Sequence, residues 1–166
     1  MSTRFQRITP FLWFDRQAEE AVNYYIAIFE NSRITHVSRY TKEVAQASGN
    51  KEGDVMVVAF ELDGQPFTAL NGGPLFKFNE ALSLVVHCRS QKEVDHFWNR
   101  LSDGGDPKAQ ACGWLKDRYG LSWQIVPEQL LELMTGPDQG KAQRAMGAVM
   151  QMKKIELDKI FEAAEA

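Results

Sequence analysis

Apolar positions near the start of the chain change period once. Residues 8–14, Ile-Thr-Pro-Phe-Leu-Trp-Phe, form a short apolar and aromatic run that reads as a strand. Beyond it, Ala18, Ala21, Val22, Tyr25, Ile28 and Phe29 recur at helical spacing, with Glu19, Glu20 and Asn23 elsewhere on the wheel. This predicts an amphipathic helix, with Asp15 placed to cap its start. Stretches 33–40, 55–62 and 67–70 return to β-branched and aromatic residues, and Asp63-Gly64 joins the last two as a hairpin. Residues 41–53, which include Ser48, Gly49, Asn50 and Lys51, read as a mobile loop. The order is strand, helix, then three strands.

The same order restarts at residues 82–87, Leu-Ser-Leu-Val-Val-His, a second strand. Ser90-Gln91-Lys92-Glu93 matches a capping box, and Val94, Phe97, Trp98 and Leu101 form one apolar helix face. Glu20-Ala21 and Tyr24-Tyr25 align with Glu93-Val94 and Phe97-Trp98 at an offset of 73 residues, taken for the whole strand-helix unit. Strands at 108–111, 112–116 and 122–126, the last two turning at Tyr119-Gly120, complete the second copy. Internal duplication accounts for this more economically than an unrelated α+β sandwich with two helices matched by chance. After Pro127, Leu130, Leu131 and Met134, then Ala142, Ala145, Met146 and Val149, then Ile160 and Phe161 predict short amphipathic helices. A tail beyond a completed repeat is suited to covering a cavity or packing on a second subunit.

The expected class is α+β: one domain over residues 1–166, with module one at about 5–78, module two at about 79–127 and a helical extension at about 128–166. A length of 166 residues suits one domain with a packed core. The net charge of −3 provides no field to hold a phosphate backbone or an anionic membrane, so nucleic acid and membrane are not expected partners. Asp15 and Arg16 interrupt the apolar stretch near the start, so no signal peptide is expected, and no window approaches a membrane span. Cys88 and Cys112 are too few for a disulfide framework and fit a reducing cytoplasm.

Four segments in order carry a resemblance. They are residues 8–14, Ala18-Glu19-Glu20-Ala21, Cys112-Gly113-Trp114-Leu115-Lys116-Asp117 and Tyr119-Gly120-Leu121-Ser122-Trp123-Gln124-Ile125-Val126-Pro127. With Arg144-Ala145-Met146 and residues 150–155, Met-Gln-Met-Lys-Lys-Ile, the match runs nearly the whole chain. The sequence resembles the PhnB-like branch of the vicinal oxygen chelate superfamily, the glyoxalase and bleomycin-resistance fold, a branch also called demethylubiquinone methyltransferase-like. The resemblance implies paired βαβββ modules, a ligand held on a concave sheet face, and a homodimer. It does not imply one reaction, since the superfamily spans glyoxalases, dioxygenases, fosfomycin-modifying enzymes and metal-free antibiotic-binding proteins.

Metal-using members of that superfamily take His or Glu ligands from the first and last strand of each module. The matching positions here read as Pro10, Thr68, Ser83 and Gln124, which offer no imidazole and no carboxylate. The expectation is therefore no metal and no other cofactor. His87 shares the alternation of Ser83 and Val85 and is open to use as a lone ligand or base, although a strand-end histidine more commonly bonds a neighbour. A methyl donor site of the commonest kind needs a glycine-rich turn running from strand to helix. Gly72-Gly73-Pro74 has no helix signal behind it, and Gly104-Gly105 follows a helix, so both read as turns. Nothing in the sequence activates either thiol. The expected cavity lining is Leu12, Phe14, Thr68, Ser83, His87, Trp114 and Gln124. The expected function is metal-free binding of a small molecule. The alternative is an enzyme, either metal-dependent through His87 or a quinol methyl transferase.

Overall fold

The computed structural model describes residues 6–166, so the start of the first module at residue 5 lies outside the described residues. Two compact units share the chain, one ending at Lys77 and the other spanning Phe78–Ala166.

In the first unit, β1 (Phe11–Phe14) and α1 (Ala18–Ile26) are followed by β2 (Arg33–Arg39), α2 (Lys42–Ser48), β3 (Val55–Leu62) and β4 (Gln65–Asn71). The sheet order is β1-β4-β3-β2. The pair β1–β4 is parallel and the other two pairs are antiparallel. A parallel pair cannot close through a tight turn, and the intervening helices and strands supply the crossover. Alternation sends Leu12, Phe14, Val58, Phe60, Leu62 and Ala69 into the core. There α1, which packs on β2, β3 and β4, buries Ala18, Ala21, Val22 and Tyr25.

Two local expectations change here. Asp15 does not cap α1: Gln17 holds the cap position without a side-chain bond, and Asn71 Oδ1 accepts the Ala18 N–H at 2.8 Å. A residue of β4, distant in sequence, thus satisfies a helix-start donor. Residues 42–48 form α2 instead of loop, opened by Thr41, whose hydroxyl accepts from the Val44 N–H. Lys42, Glu43, Ala45, Gln46 and Ala47 are good helix formers, and the turn residues that dominate the local composition only end the helix.

The second unit contains β5 (Ser83–Cys88), α3 (Gln91–Ser102), β6 (Trp114–Lys116) and β7 (Ser122–Pro127), in the sheet order β5-β7-β6. Three helices follow: α4 (Glu128–Thr135), α5 (Gln139–Val149) and α6 (Leu157–Glu165). Ser90 opens α3 by accepting from the Glu93 N–H at 3.3 Å, while Glu93 reaches back to the Arg89 N–H at 2.7 Å. The helix packs on all three strands and buries Val94, Trp98 and Leu101.

The strand expected at 108–111 is absent. Pro107–Ala109 is a single 3-10 turn, and Ala111 makes only an isolated bridge to Trp114. Pro107 has no N–H to give a ladder, and Asp106 accepts from the Lys108 N–H to close the turn. Cys112 and Gly113 take φ of 52° and 84°, so β6 begins only at Trp114.

The C-terminal chain meets this edge. The N–H groups of Cys112 and Gly113 donate to the Met152 and Lys153 carbonyls at 2.8 and 2.7 Å. The Gln91 amide bridges the same segment, donating to the Ile155 carbonyl and accepting from the Leu157 N–H. Leu130, Ala145, Val149, Ile155, Ile160 and Ala164 form one buried cluster, confirming the amphipathic pattern of the tail. Among the described residues no helix is long and apolar enough to cross a membrane.

Candidate functional site

In the second unit, α3 covers one side of the sheet, so Val86, Cys88, Leu115, Trp123 and Ile125 are buried. Alternation turns Ser83, Val85 and His87 to the other side, in register with Ser122, Gln124 and Val126 of β7. Trp114 and Lys116 of β6 join that side opposite Gln124 and Ser122. Val85, 45% exposed, shows that the second unit leaves this face open. The structure thus brings together four of the expected lining residues, Ser83, His87, Trp114 and Gln124, on one open face.

Gln124 Nε2 donates to Ser83 Oγ at 2.9 Å, which orients the amide. Ser122 is 1% exposed, and its Oγ has no hydrogen-bond partner among the described residues. Lys116 is ion-paired with Glu80, whose carboxyl this bond holds below its ordinary range. His87 is exposed and makes no hydrogen bond or ion pair among the described residues, unlike the bonded strand-end histidine expected.

In the first unit the face away from α1 carries Thr68 with Phe11 and Trp13, because Thr68 pairs with Phe11 and alternation does the rest. Phe11 is 59% exposed. Leu12 and Phe14, expected to line a cavity, lie on the opposite side and are buried in the core. The slip has an identifiable origin. Tyr25 and Trp98 keep the 73-residue offset in the helices, but the buried pairs Leu12/Val86 and Phe14/Cys88 are 74 apart. The strand-to-helix connection of the second unit is one residue shorter, and a one-residue shift exchanges the faces of a strand.

With that offset, Phe11 matches Val85, and their partners Thr68 and Gln124 match as expected. Ser83 then matches Thr9 in place of Pro10. Thr9, just ahead of β1, and Thr68 of the first unit carry hydroxyls, and Ser83 and Gln124 of the second a hydroxyl and a neutral amide, side chains that fit a divalent cation poorly. Among the described residues no group of three or more His, Cys, Asp or Glu is arranged to hold a metal ion.

The two glycine pairs are packing turns. A Cβ on Gly72 would lie 2.3 Å from the Trp13 ring, and Trp13 Nε1 donates to the Gly73 carbonyl at 2.9 Å. A Cβ on Gly105 would lie 2.0 Å from the Lys116 carbonyl oxygen. Neither pair opens a helix, so neither fits a methyl donor in the strand-turn-helix manner. Cys88 is fully buried, and desolvation, helped by Glu93 and Glu128, pushes its thiol up to about 12. It is not a nucleophile at neutral pH.

Two surface clefts lie elsewhere. One of about 340 Å³ is lined by Leu133, Pro137, Asp138, Lys141 and Phe161 of the helical tail. The other, of about 450 Å³ in the first unit, is lined by Arg16, Glu19, Arg39, Tyr40, Asp54 and Asn71. Neither includes any of the seven residues expected to line a cavity.

Comparison with known proteins adds an independent line. Residues 6–126 match the family described as 3-demethylubiquinone-9 3-methyltransferase. A PhnB protein from Bacillus cereus, provisionally named a 3-demethylubiquinone-9 3-methyltransferase, is 36% identical with a TM-score of 0.64. That match covers 74% of this chain and 99% of the Bacillus protein. Two more distant structures share the fold. A Pseudomonas aeruginosa protein is 19% identical, with a TM-score of 0.56 over 74% of this chain and 98% of its own. A fosfomycin resistance protein from Listeria monocytogenes is 16% identical, with a TM-score of 0.50 over 82% and 100%. No curated protein matches.

Proposed function

We propose, from the premise that this chain belongs to the PhnB-like family described as 3-demethylubiquinone-9 3-methyltransferase, within the vicinal oxygen chelate superfamily, that it binds a small organic molecule without a metal ion. The proposed form is a cytoplasmic homodimer, with residues 1–166 making up one domain. One observation carries this reading. Gln124 and Ser83 bond each other at 2.9 Å on an open sheet face, where a metal-using relative would place ligands. A neutral amide and a hydroxyl recognise an organic ligand by hydrogen bonds but grip a divalent cation poorly.

Elemental analysis of the purified protein tests the absence of a metal. The expected result is far less than one equivalent of zinc, iron, nickel or manganese, unchanged by His87→Ala. A stoichiometric metal that is lost in His87→Ala would overturn the reading and favour a metalloenzyme. A thermal-shift screen of small organic molecules tests binding, since a ligand that binds only the folded state raises the melting midpoint.

The family description favours methyl transfer as a second reading. The sulfonium methyl donor in the same screen separates the two. A rise in midpoint supports methyl transfer, and no rise supports binding alone.

A further inference from the structure

The open face of the second sheet presents an unusual balance of groups. A hydroxyl stands at Ser83 and an amide at Gln124, with Val85 beside Gln124 on β5 and Trp114 beside it on β6, while the Ser122 side chain is buried. The one lysine on this face, Lys116, is closed by its ion pair with Glu80, so the pair adds no net charge. His87 stands at the far end of β5, opposite Val126. A charged ligand group taken out of water here would meet no free opposite charge from Ser83 or Gln124, and unpaired burial of a charge is costly.

The hydrogen-bond pattern is more specific than its neutrality. Gln124 spends one amide hydrogen on Ser83 Oγ, leaving its second N–H and its Oε1 for a ligand. Ser83 accepts that bond, so its own hydroxyl hydrogen is available to donate. Donors and an acceptor therefore lie side by side, with the Trp114 ring on the neighbouring strand as an apolar surface.

We infer that this face selects a neutral aromatic molecule carrying an acceptor next to a donor, of which a primary carboxamide is the simplest case. The inference rests on the small-molecule reading above and names its ligand class.

The test compares three probes of nearly equal shape, benzamide, benzoate and benzylammonium, by ligand-observed NMR titration of the full-length protein. Benzamide is expected to bind at least about tenfold more tightly than either ion. Gln124→Leu is expected to abolish that preference while the far-UV circular dichroism stays unchanged. If Gln124→Leu does not fold, Gln124→Glu serves in its place and is expected to move the preference to benzylammonium. Benzoate or benzylammonium binding within about threefold of benzamide, or unaltered ratios in the folded variant, would overturn the inference. So would the absence of benzamide binding. In that case a positive result in the wider thermal-shift screen still upholds the binding reading, so the two failures are distinguishable.

Discussion

Asn71 serves two backbone groups at once: its Oδ1 accepts from the Ala18 N–H and its Nδ2 donates to the Val55 carbonyl at 3.0 Å. Asn71→Leu should leave both without that partner and cost about 1–3 kcal/mol in a urea titration. Asp117 has a comparable place in the turn between β6 and β7. Its carboxylate accepts from the Tyr119 and Leu121 N–H groups and from Trp123 Nε1 at 2.9 Å, and the residue is buried. Asp117→Ala should destabilise by about 2–4 kcal/mol and shift the indole N–H resonance of Trp123, whereas a change at a solvated aspartate would do neither. The cysteines differ in the same physical terms. Disulfide exchange reagent should modify the half-buried Cys112 in the native protein and Cys88 only after unfolding. Because the folded Cys88 pKa lies above the ordinary 9.0, its contribution to stability is complete below about pH 9. That contribution declines as pH rises toward 12, and Cys88→Ala should flatten the decline in alkaline denaturation curves.

Elements were legible where several local signals agreed. For α3, the cap at Ser90, the helical period and a charged solvent side all point one way, and the helix forms over Gln91–Ser102. Ser90→Ala should cost about 1 kcal/mol through loss of the cap. At α2 the signals conflicted, and turn residues that terminate a helix obscured the short helix before them. At 108–111 the residues allow a strand, but the edge of the second sheet is met by Met152 and Lys153, which no local pattern reveals. Gly113 is where these segments touch. Its φ is 84°, and a Cβ there would lie 2.8 Å from Ile155 Cδ1. Gly113→Ala should therefore loosen the segment around residues 152–155, which limited proteolysis would detect as faster cleavage there.

At the scale of the whole molecule, the family match ends at residue 126, while the buried cluster of the tail reaches Ala164. The tail is part of the second unit by hydrogen bonding as well as by packing, through Gln91, Cys112 and Gly113. Removing residues 128–166 should lower the melting midpoint markedly and promote aggregation, because it uncovers apolar surface and frees edge N–H groups. Light scattering tests the proposed homodimer, with an expected mass of twice the 18.8 kDa chain.

Periodicity, capping residues and the repeated aromatic pairs determined the class of fold and the two helices that repeat, and the family resemblance implied the match of Thr68 with Gln124. These signals lie within a few turns of chain, so they survive without a partner segment. Which side of β1 faces outward was decided only in three dimensions, because a single residue fewer between strand and helix leaves the helical spacing intact yet reverses the strand. The same holds for Asn71 at the start of α1 and for the tail carbonyls at Cys112 and Gly113. Each bond joins residues about forty or more positions apart, and a backbone N–H donates to whichever carbonyl or amide oxygen the folded chain carries to it.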